Sequence, residues 1–226
     1  MKYLISPSLM CIDMMKVSEQ LSFLNDNADM LHVDIMDGHY VKNLALSVDF
    51  IRQIKPYTQL PIDVHLMVEH PMDFIDDLIS VGTDSISLHA EIISSYAFRV
   101  ISHIRNKGKK VGIVLNPATS IEVLNPYIHL IDKVTVMTVD PGYAGQAFIP
   151  EMVEKIYALN QKKAEGNYSF LIEVDGSCNK NTYKALLKAG GQVLIMGSSG
   201  LFKKGIPLSE TWQTMQEDIL TSLNYA

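Results

Sequence analysis

Cysteine is nearly absent from this 226-residue chain: Cys11 and Cys178 are the only two. They stand in no metal or redox spacing, which excludes a disulfide framework and makes a reducing cytoplasm the expected compartment. Positive charge is scarce as well. No run of Lys and Arg occurs and the formal net charge is −6, so nucleic acid and anionic membrane surfaces are excluded as expected partners. A phosphorylated metabolite stays compatible, because backbone N–H groups hold phosphate without a basic patch. The N-terminus carries one lysine and a short apolar run that soon meets Pro7, so neither a signal peptide nor a membrane-spanning segment is expected. No low-complexity or linker-like stretch divides the chain. No Gly-rich dinucleotide fingerprint follows the first strand signal, which weighs against an open doubly wound sheet.

Hydrophobic residues make up 47% of the chain, enough for a sizeable core, and they are patterned. In Met30-Leu-His-Val-Asp-Ile-Met36, strand alternation places Met30, His32, Asp34 and Met36 on one face and Leu31, Val33 and Ile35 on the other. Two titratable groups on the face of a buried strand need a reason, because an unpaired buried charge is costly. One reason is a hydrogen-bonded His–Asp pair joining two elements. The pattern recurs, however. Pro61-Ile-Asp-Val-His-Leu-Met67 puts Asp63, His65 and Met67 together, and Phe170-Leu-Ile-Glu-Val-Asp175 puts Glu173 with Asp175. Three such strands, each followed by a turn, predict convergence on one site.

Strand and helix signals alternate throughout. Strands are expected at Tyr3–Ser8, Met30–Met36, Pro61–Met67, Ser85–His89, Lys110–Leu115, Lys133–Val139, Phe170–Asp175 and Gln192–Met196. Between them, Met14, Val17, Leu21, Leu24 and Ala28 recur at helical spacing. Further helices are expected around Val48–Lys55, from Pro71 to Gly82, over Ser95–Lys107, briefly over Ser120–Tyr127, from Pro150 to near Gly166, from an Asn179 cap to Gly190, and over Leu208–Leu223. Eight strand–helix units at this length predict an α/β fold, a (β/α)8 TIM barrel forming a single domain over residues 1–226.

Barrel active sites lie at the C-terminal ends of the strands, where His32, Asp34, His65 and Asp175 fall. Two imidazoles and two carboxylates suit Zn²⁺, Fe²⁺, Mn²⁺ or Co²⁺, and suit Mg²⁺ and Ca²⁺ less well. Gly142-Tyr-Ala-Gly-Gln146, Asp175-Gly-Ser177 and Gly197-Ser-Ser-Gly200 follow the last three strands. Glycines there either turn corners or bring backbone N–H groups up to a phosphate; their clustering beside the His/Asp end favours phosphate. Met10, Met36, Met67 and Met137 are expected as core fillers. His89 ends the fourth strand and is placed to support a ligand from behind.

His32-Val-Asp-Ile-Met-Asp-Gly-His39, Asp63-Val-His-Leu-Met67, Leu115-Asn-Pro117, Pro141-Gly142 with Gly145-Gln146, and Glu173-Val-Asp-Gly176 together resemble the ribulose-phosphate 3-epimerase family, in order and over nearly the whole chain. Four stretches depart from the usual pentulose enzyme: Ser6-Pro-Ser-Leu-Met-Cys11, Asp140 and Ala144 in the loop after the sixth strand, Asp175-Gly-Ser-Cys-Asn179, and Gly197-Ser-Ser-Gly-Leu-Phe202. These look like the D-allulose-6-phosphate 3-epimerase branch. Lys42 stands where both branches usually have proline. The resemblance implies one divalent metal ion, Zn²⁺ first with Fe²⁺, Mn²⁺, Co²⁺ or Mg²⁺ as alternatives, bound by His32, Asp34, His65 and Asp175, and no organic cofactor. It implies Asp34 and Asp175 as the acid/base pair. Substrate contacts are implied for Ser8, His65, Gly142, Tyr143, Ala144, Gly145, Asp175, Gly176, Ser177, Gly197, Ser198 and Ser199. A homo-oligomer, dimer or hexamer, is implied as well.

The expected activity is thus C3 epimerisation of a ketose phosphate, D-allulose 6-phosphate to D-fructose 6-phosphate. D-ribulose 5-phosphate is the competing substrate. A related decarboxylating barrel is disfavoured, since Asp34-Ile-Met-Asp37 lacks the lysine of its Asp-x-Lys-x-x-Asp stretch. A non-catalytic phosphosugar binder needs neither paired acids nor a metal.

Overall fold

The computed structural model describes residues 3–224. Its strands are β1 (Leu4–Pro7), β2 (Leu31–Met36), β3 (Ile62–Met67), β4 (Ser85–His89), β5 (Lys110–Leu115), β6 (Lys133–Met137), β7 (Leu171–Asp175) and β8 (Val193–Met196). All pair in parallel in one eight-stranded sheet, ordered β1-β8-β7-β6-β5-β4-β3-β2. The ends of that sheet meet. Ser8 bridges His32, and the Asp29 N–H donates to the Ile5 carbonyl at 3.1 Å. The chain is therefore a nearly closed (β/α)8 barrel.

Around it lie α1 (Val17–Asn27), α2 (Val48–Ile54), α3 (Met72–Ser80), α4 (Ala90–Ile93), α5 (Ala97–Asn106), α6 (Met152–Glu165), α7 (Tyr183–Ala189) and α8 (Leu208–Asn224). Three expectations shift. The short helix expected over Ser120–Tyr127 is replaced by 3-10 turns at Ile121–Leu124 and Ile128–Leu130. Ser120 does cap the first, accepting from the Glu122 N–H at 3.2 Å, but Pro126 cannot donate to a continuing helix. Asn179 does not cap α7. Its side chain closes a local turn onto the Asn181 N–H at 3.0 Å, and the helix begins at Tyr183. β6 stops at Met137, where Thr138 turns its hydroxyl onto the Gly176 carbonyl.

Alternation sorts each strand as the pattern predicts. Leu31, Val33, Ile35, Ile62, Val64, Ile172 and Val174 join the main apolar core between sheet and helices. His32, Asp34, Asp63, His65, Lys133, Thr135 and Glu173 face into the barrel, all buried. Among the described residues no helix is long and apolar enough to cross a membrane.

The closed N-terminal end is built from a repeated contact. A polar side chain just before each even-numbered strand accepts the N–H that opens its odd-numbered neighbour. Asp29 takes Ile5 at 2.7 Å, Asp84 takes Ile62 at 2.8 Å, Asp132 takes Val111 at 2.9 Å, and Gln192 takes Ile172 at 3.2 Å. Strand starts would otherwise leave donors without partners. Asp84 also receives Lys55 Nζ at 3.2 Å. We expect Asp84→Ala to destabilise the fold by about 1–3 kcal/mol, the cost of an orphaned buried donor. Asp84→Asn keeps an acceptor and should lose less than about 1 kcal/mol. Urea unfolding of the two variants measures the difference, and equal losses would discount the contact.

Candidate active site and metal centre

The inward faces of β2, β3 and β7 bring His32, Asp34, His65 and Asp175 together, with one ligand atom from each within 4.8 Å of the others. His32 Nε2 lies 3.3 Å from Asp34 Oδ1, and His65 Nδ1 lies 3.3 Å from the same oxygen and 3.5 Å from Asp175 Oδ2. The two imidazole nitrogens are buried without a hydrogen-bond partner among the described residues. Buried polar atoms are rarely left so. Two orphaned nitrogens aimed at two carboxylates form a mixed N/O donor set that fits a divalent transition-metal ion.

Each ligand is held from behind. His32 Nδ1 is 3.0 Å from Asp63 Oδ2, which fixes its ring with Nε2 toward the cluster. His65 Nε2 is 2.8 Å from His89 Nε2, and His89 Nδ1 is 2.8 Å from the Tyr40 hydroxyl, which accepts from Asn116 Nδ2 at 2.7 Å. Ser8 Oγ donates to Asp34 Oδ2 at 2.7 Å. Asp34 thus offers Oδ1 to the imidazoles while Oδ2 is steadied by β1.

Electrostatics follow this packing. Burial penalises the Asp34 charge, but His32 and His65 outweigh it and hold the carboxyl well below its ordinary range. Burial likewise opposes protonation of His32, yet Asp34 and Asp63 carry its pKa well above an ordinary imidazole. For His65, burial is outweighed by Asp175 and Asp34. His89 is the reverse: burial dominates, its pKa falls to about 4, and the ring is neutral.

The cleft above the cluster is lined by the loops that the sequence singled out. Ser8, Gly142, Tyr143, Ala144, Gly145, Gly176, Ser177, Gly197, Ser198 and Ser199 all border it. So do Met10, Met36, Met67 and Met137. These methionines wall the cleft rather than only filling the core. Cys11 also faces it, its thiol pushed up by burial to about 11. Cys178 is buried away from the cleft, its Sγ 3.6 Å from the Val174 carbonyl.

Backbone geometry at the rim is demanding. Gly176 has φ +112°, and a Cβ there would meet Val139 Cγ2 at 2.7 Å. Ser177 follows at φ +47°, an uncommon conformation for a non-glycine residue. Its Oγ donates to the Gln146 carbonyl at 2.6 Å, while Asn179 Nδ2 and Thr182 Oγ1 donate to its own carbonyl at 2.9 and 2.7 Å. Lys42 is an exposed loop residue whose carbonyl accepts from the Tyr143 hydroxyl. Next to it, Asn43 Nδ2 donates to the Gly142 carbonyl at 2.7 Å. The loop after β2 thereby braces the loop after β6.

The sequence places Asp63 and Glu173 on the same strand faces as the ligand candidates but earlier in their strands, and outside the expected ligand set. They lie one layer deeper, joined by Lys133 and Thr135. Sequence reasoning passed over Lys133, Tyr40 and Asn116. A lysine opening a buried strand was the available signal for the first.

Chelation should therefore lower the unfolding temperature, and adding back Zn²⁺ should raise it. Free metal at 1,000 times Kd is worth about 4 kcal/mol of folding stability. His65→Gln should abolish most of the response in a thermal melt. An unchanged melting temperature with and without chelator would show that no ion binds.

Comparison with known proteins agrees with this geometry. The ribulose-phosphate 3-epimerase family model matches residues 4–202. The chain is 39% identical over 198 residues to a ribulose-phosphate 3-epimerase of Treponema pallidum, covering 87% of this chain and 90% of that protein. It is 36% identical over 197 residues to one from Bacillus subtilis, covering 86% and 90%. Among solved structures, 3-hexulose-6-phosphate synthase from Salmonella typhimurium superposes with a TM-score of 0.69 at 14% identity over 97% of this chain and 99% of that one, a likeness of fold. With the family model matched over most of the barrel and the ligand-type residues converging at its mouth, the chain belongs to the ribulose-phosphate 3-epimerase family and is an isomerase.

Proposed function

We propose that this chain, as one barrel domain, epimerises a ketose phosphate at C3 by two-carboxylate acid/base catalysis, with Asp34 and Asp175 as the catalytic pair. The observation that carries the reading is their placement. They rise from β2 and β7, strands separated around the barrel by β1 and β8, and both reach His65 Nδ1, at 3.3 and 3.5 Å. Epimerisation removes a proton from one face of a carbon and returns one to the other, which requires two groups on opposing walls.

His32, Asp34, His65 and Asp175 would hold the ion, with zinc the first choice for this donor set. A bound divalent ion would supply Lewis-acid stabilisation of negative charge on the sugar oxygens. Asp34 takes the C3 proton; the C–H bonding pair moves into a C2–C3 double bond and the carbonyl pair onto the C2 oxygen, giving a planar enediolate. Asp175, which enters this direction as the carboxylic acid, then delivers its proton to C3 from the other side as the C2 carbonyl re-forms, so that the two carboxyls end with their protonation exchanged. In the reverse direction the two exchange roles. Ser8 keeps Asp34 oriented through its 2.7 Å hydrogen bond. The methionine wall limits water around the enediolate. Backbone N–H groups of the loops after β6, β7 and β8 receive the phosphate.

Two substrates compete. The relatives named above are ribulose-phosphate 3-epimerases, which favours D-ribulose 5-phosphate. D-allulose 6-phosphate is supported by the chain's own departures from the usual pentulose pattern, because Cys11, Asp140, Ala144, Ser177 and Ser199 all border the cleft. We keep the hexulose as the first reading on that ground.

Asp34→Asn should fold and lose about 10²–10⁴ in kcat. Wild-type turnover in deuterated solvent should place deuterium at C3. Near-normal rates in the variant, or no label at C3, would remove Asp34 or the deprotonation route respectively.

The substrate is decided by kcat/KM for D-allulose 6-phosphate and D-ribulose 5-phosphate measured side by side on metal-replete protein. We expect the hexulose to be preferred by at least about tenfold, some 1.4 kcal/mol. A pentulose preference would overturn the substrate assignment and leave the chemistry intact.

A further inference from the structure

Beneath the candidate metal centre lies a charged cluster to which the proposed chemistry gives no task. Asp63 on β3, Lys133 at the start of β6 and Glu173 on β7 face one another inside the barrel, at 2%, 6% and 0% exposure. Lys133 Nζ donates to Asp63 Oδ2 and, at 2.7 Å, to Glu173 Oε1. His32, Asp63 and Glu173 also offer ligand-type atoms within 4.8 Å of one another. That spacing invites a cation, and the lysine ammonium supplies one.

A lysine here is costly. Burying an ammonium carries a large desolvation penalty, and an apolar side chain of similar volume usually packs at least as well. Packing alone therefore gives no reason for Lys133. Asp63 supplies one. Its Oδ1 accepts from Ser85 and, at 3.1 Å, from Ser87, while its Oδ2 lies between Lys133 Nζ and His32 Nδ1, the latter at 3.0 Å. The carboxylate is fixed on both oxygens, and among the described residues Lys133 is the only lysine or arginine paired with it.

We propose that Lys133 is a positioning residue for the metal centre: its ammonium is the fixed cation of the barrel floor, and it holds the Asp63 carboxylate against His32 Nδ1 so that His32 presents Nε2 to the ion. This rests on the metal-binding reading given under the proposed function. The competing role for Lys133 is structural, as a counter-charge that lets Glu173 and Asp63 be buried together.

Four variants separate the two. Lys133→Met removes the ammonium. Lys133→Met with Glu173→Gln removes a charge of each sign and so spares the fold an unmatched carboxylate. Asp63→Asn, alone and with Lys133→Met, tests whether the lysine acts through Asp63. The measurements are Zn²⁺ affinity by competition with a chromophoric chelator, and the visible spectrum of the Co²⁺-substituted protein. Folding is checked by circular dichroism. We expect the folded double variant Lys133→Met/Glu173→Gln to bind Zn²⁺ about 10–100-fold more weakly, as for other residues that orient a ligand from behind, with an altered Co²⁺ spectrum. Adding Lys133→Met to Asp63→Asn should cause no further loss, because residues acting through one another are not additive. Wild-type affinity in the folded double variant, or losses that multiply in Asp63→Asn/Lys133→Met, would overturn the proposal. Wild-type protein that takes up no Zn²⁺ would instead sink the metal-binding reading beneath it.

Discussion

Charge buried inside a barrel has to be answered within the barrel, because the interior cannot supply water. That demand arranges the axis of this molecule in layers. At the bottom Lys133 is bound by Asp63 and Glu173. Above it His32 leans on Asp63 and His65 on His89. At the top Asp34 and Asp175 face the cleft. Each layer satisfies the one beneath and leaves something open above, ending in two imidazole nitrogens without partners. Glu173 marks the limit of the floor: burial raises its pKa in spite of Lys133, and its second oxygen has no partner. One lysine does not fully answer two carboxylates. On the proposed reading, an ion would complete the ligand cluster from the open end, above a floor that the protein's own side chains fill.

The two ends of the barrel solve different problems with similar residues. At the sealed end Asp29, Asp84, Asp132 and Gln192 accept strand-opening N–H groups, and their work is done once the backbone is paired. At the open end the Asp34 and Asp175 carboxylates meet no backbone donor among the described residues and face imidazoles instead. A carboxylate tied to the main chain is committed to structure. One left among titratable side chains is available for chemistry. The division matches the general separation of stability and catalysis between the two faces of such barrels.

Much of this was legible in the sequence because alternation is rigid. Once His32 and Asp34 are assigned to one strand, period two puts them on one face, and the same holds for His65 and for Asp175. What alternation does not carry is depth. Asp63 and His65 share a face just as His32 and Asp34 do, yet Asp63 lies beside Lys133 while His65 joins the ligand cluster above it. Only the stagger between neighbouring strands, His32 opposite Asp63 and Asp34 opposite His65, sets that order. Loop conformation was equally out of reach. Asn179 has the chemistry of a helix cap and serves instead in a turn that holds Ser177 at positive φ. Ser120 does cap, but Pro126 leaves the turn behind it no helix to start. Local propensity named the right residues and tertiary contacts chose among their uses.

On the proposed function, substrate choice and chemistry occupy different parts of the chain. The ligand-type residues sit on strands, with rings and carboxylates fixed by other buried side chains. The positions that depart from the usual pentulose pattern sit on the rim, where Asp140, Ala144, Ser177 and Ser199 belong to loops braced by Asn43, Gln146 and Thr182. A rim loop that moves to admit one more carbon need not disturb the two carboxylates, because among the described residues Ser8 is the only rim side chain bonded to either of them, while Thr138 and Leu46 hold only the main-chain carbonyls of Asp175 and Asp34. Ser8 is the exception that matters. It joins the cleft wall to the proposed base, so a change of sugar that presses on the loop after β1 would be felt at the Asp34 carboxylate, whereas the same pressure on the loop after β6 would bear on Asn43 and Tyr143 and, through Thr138, on the Asp175 main chain.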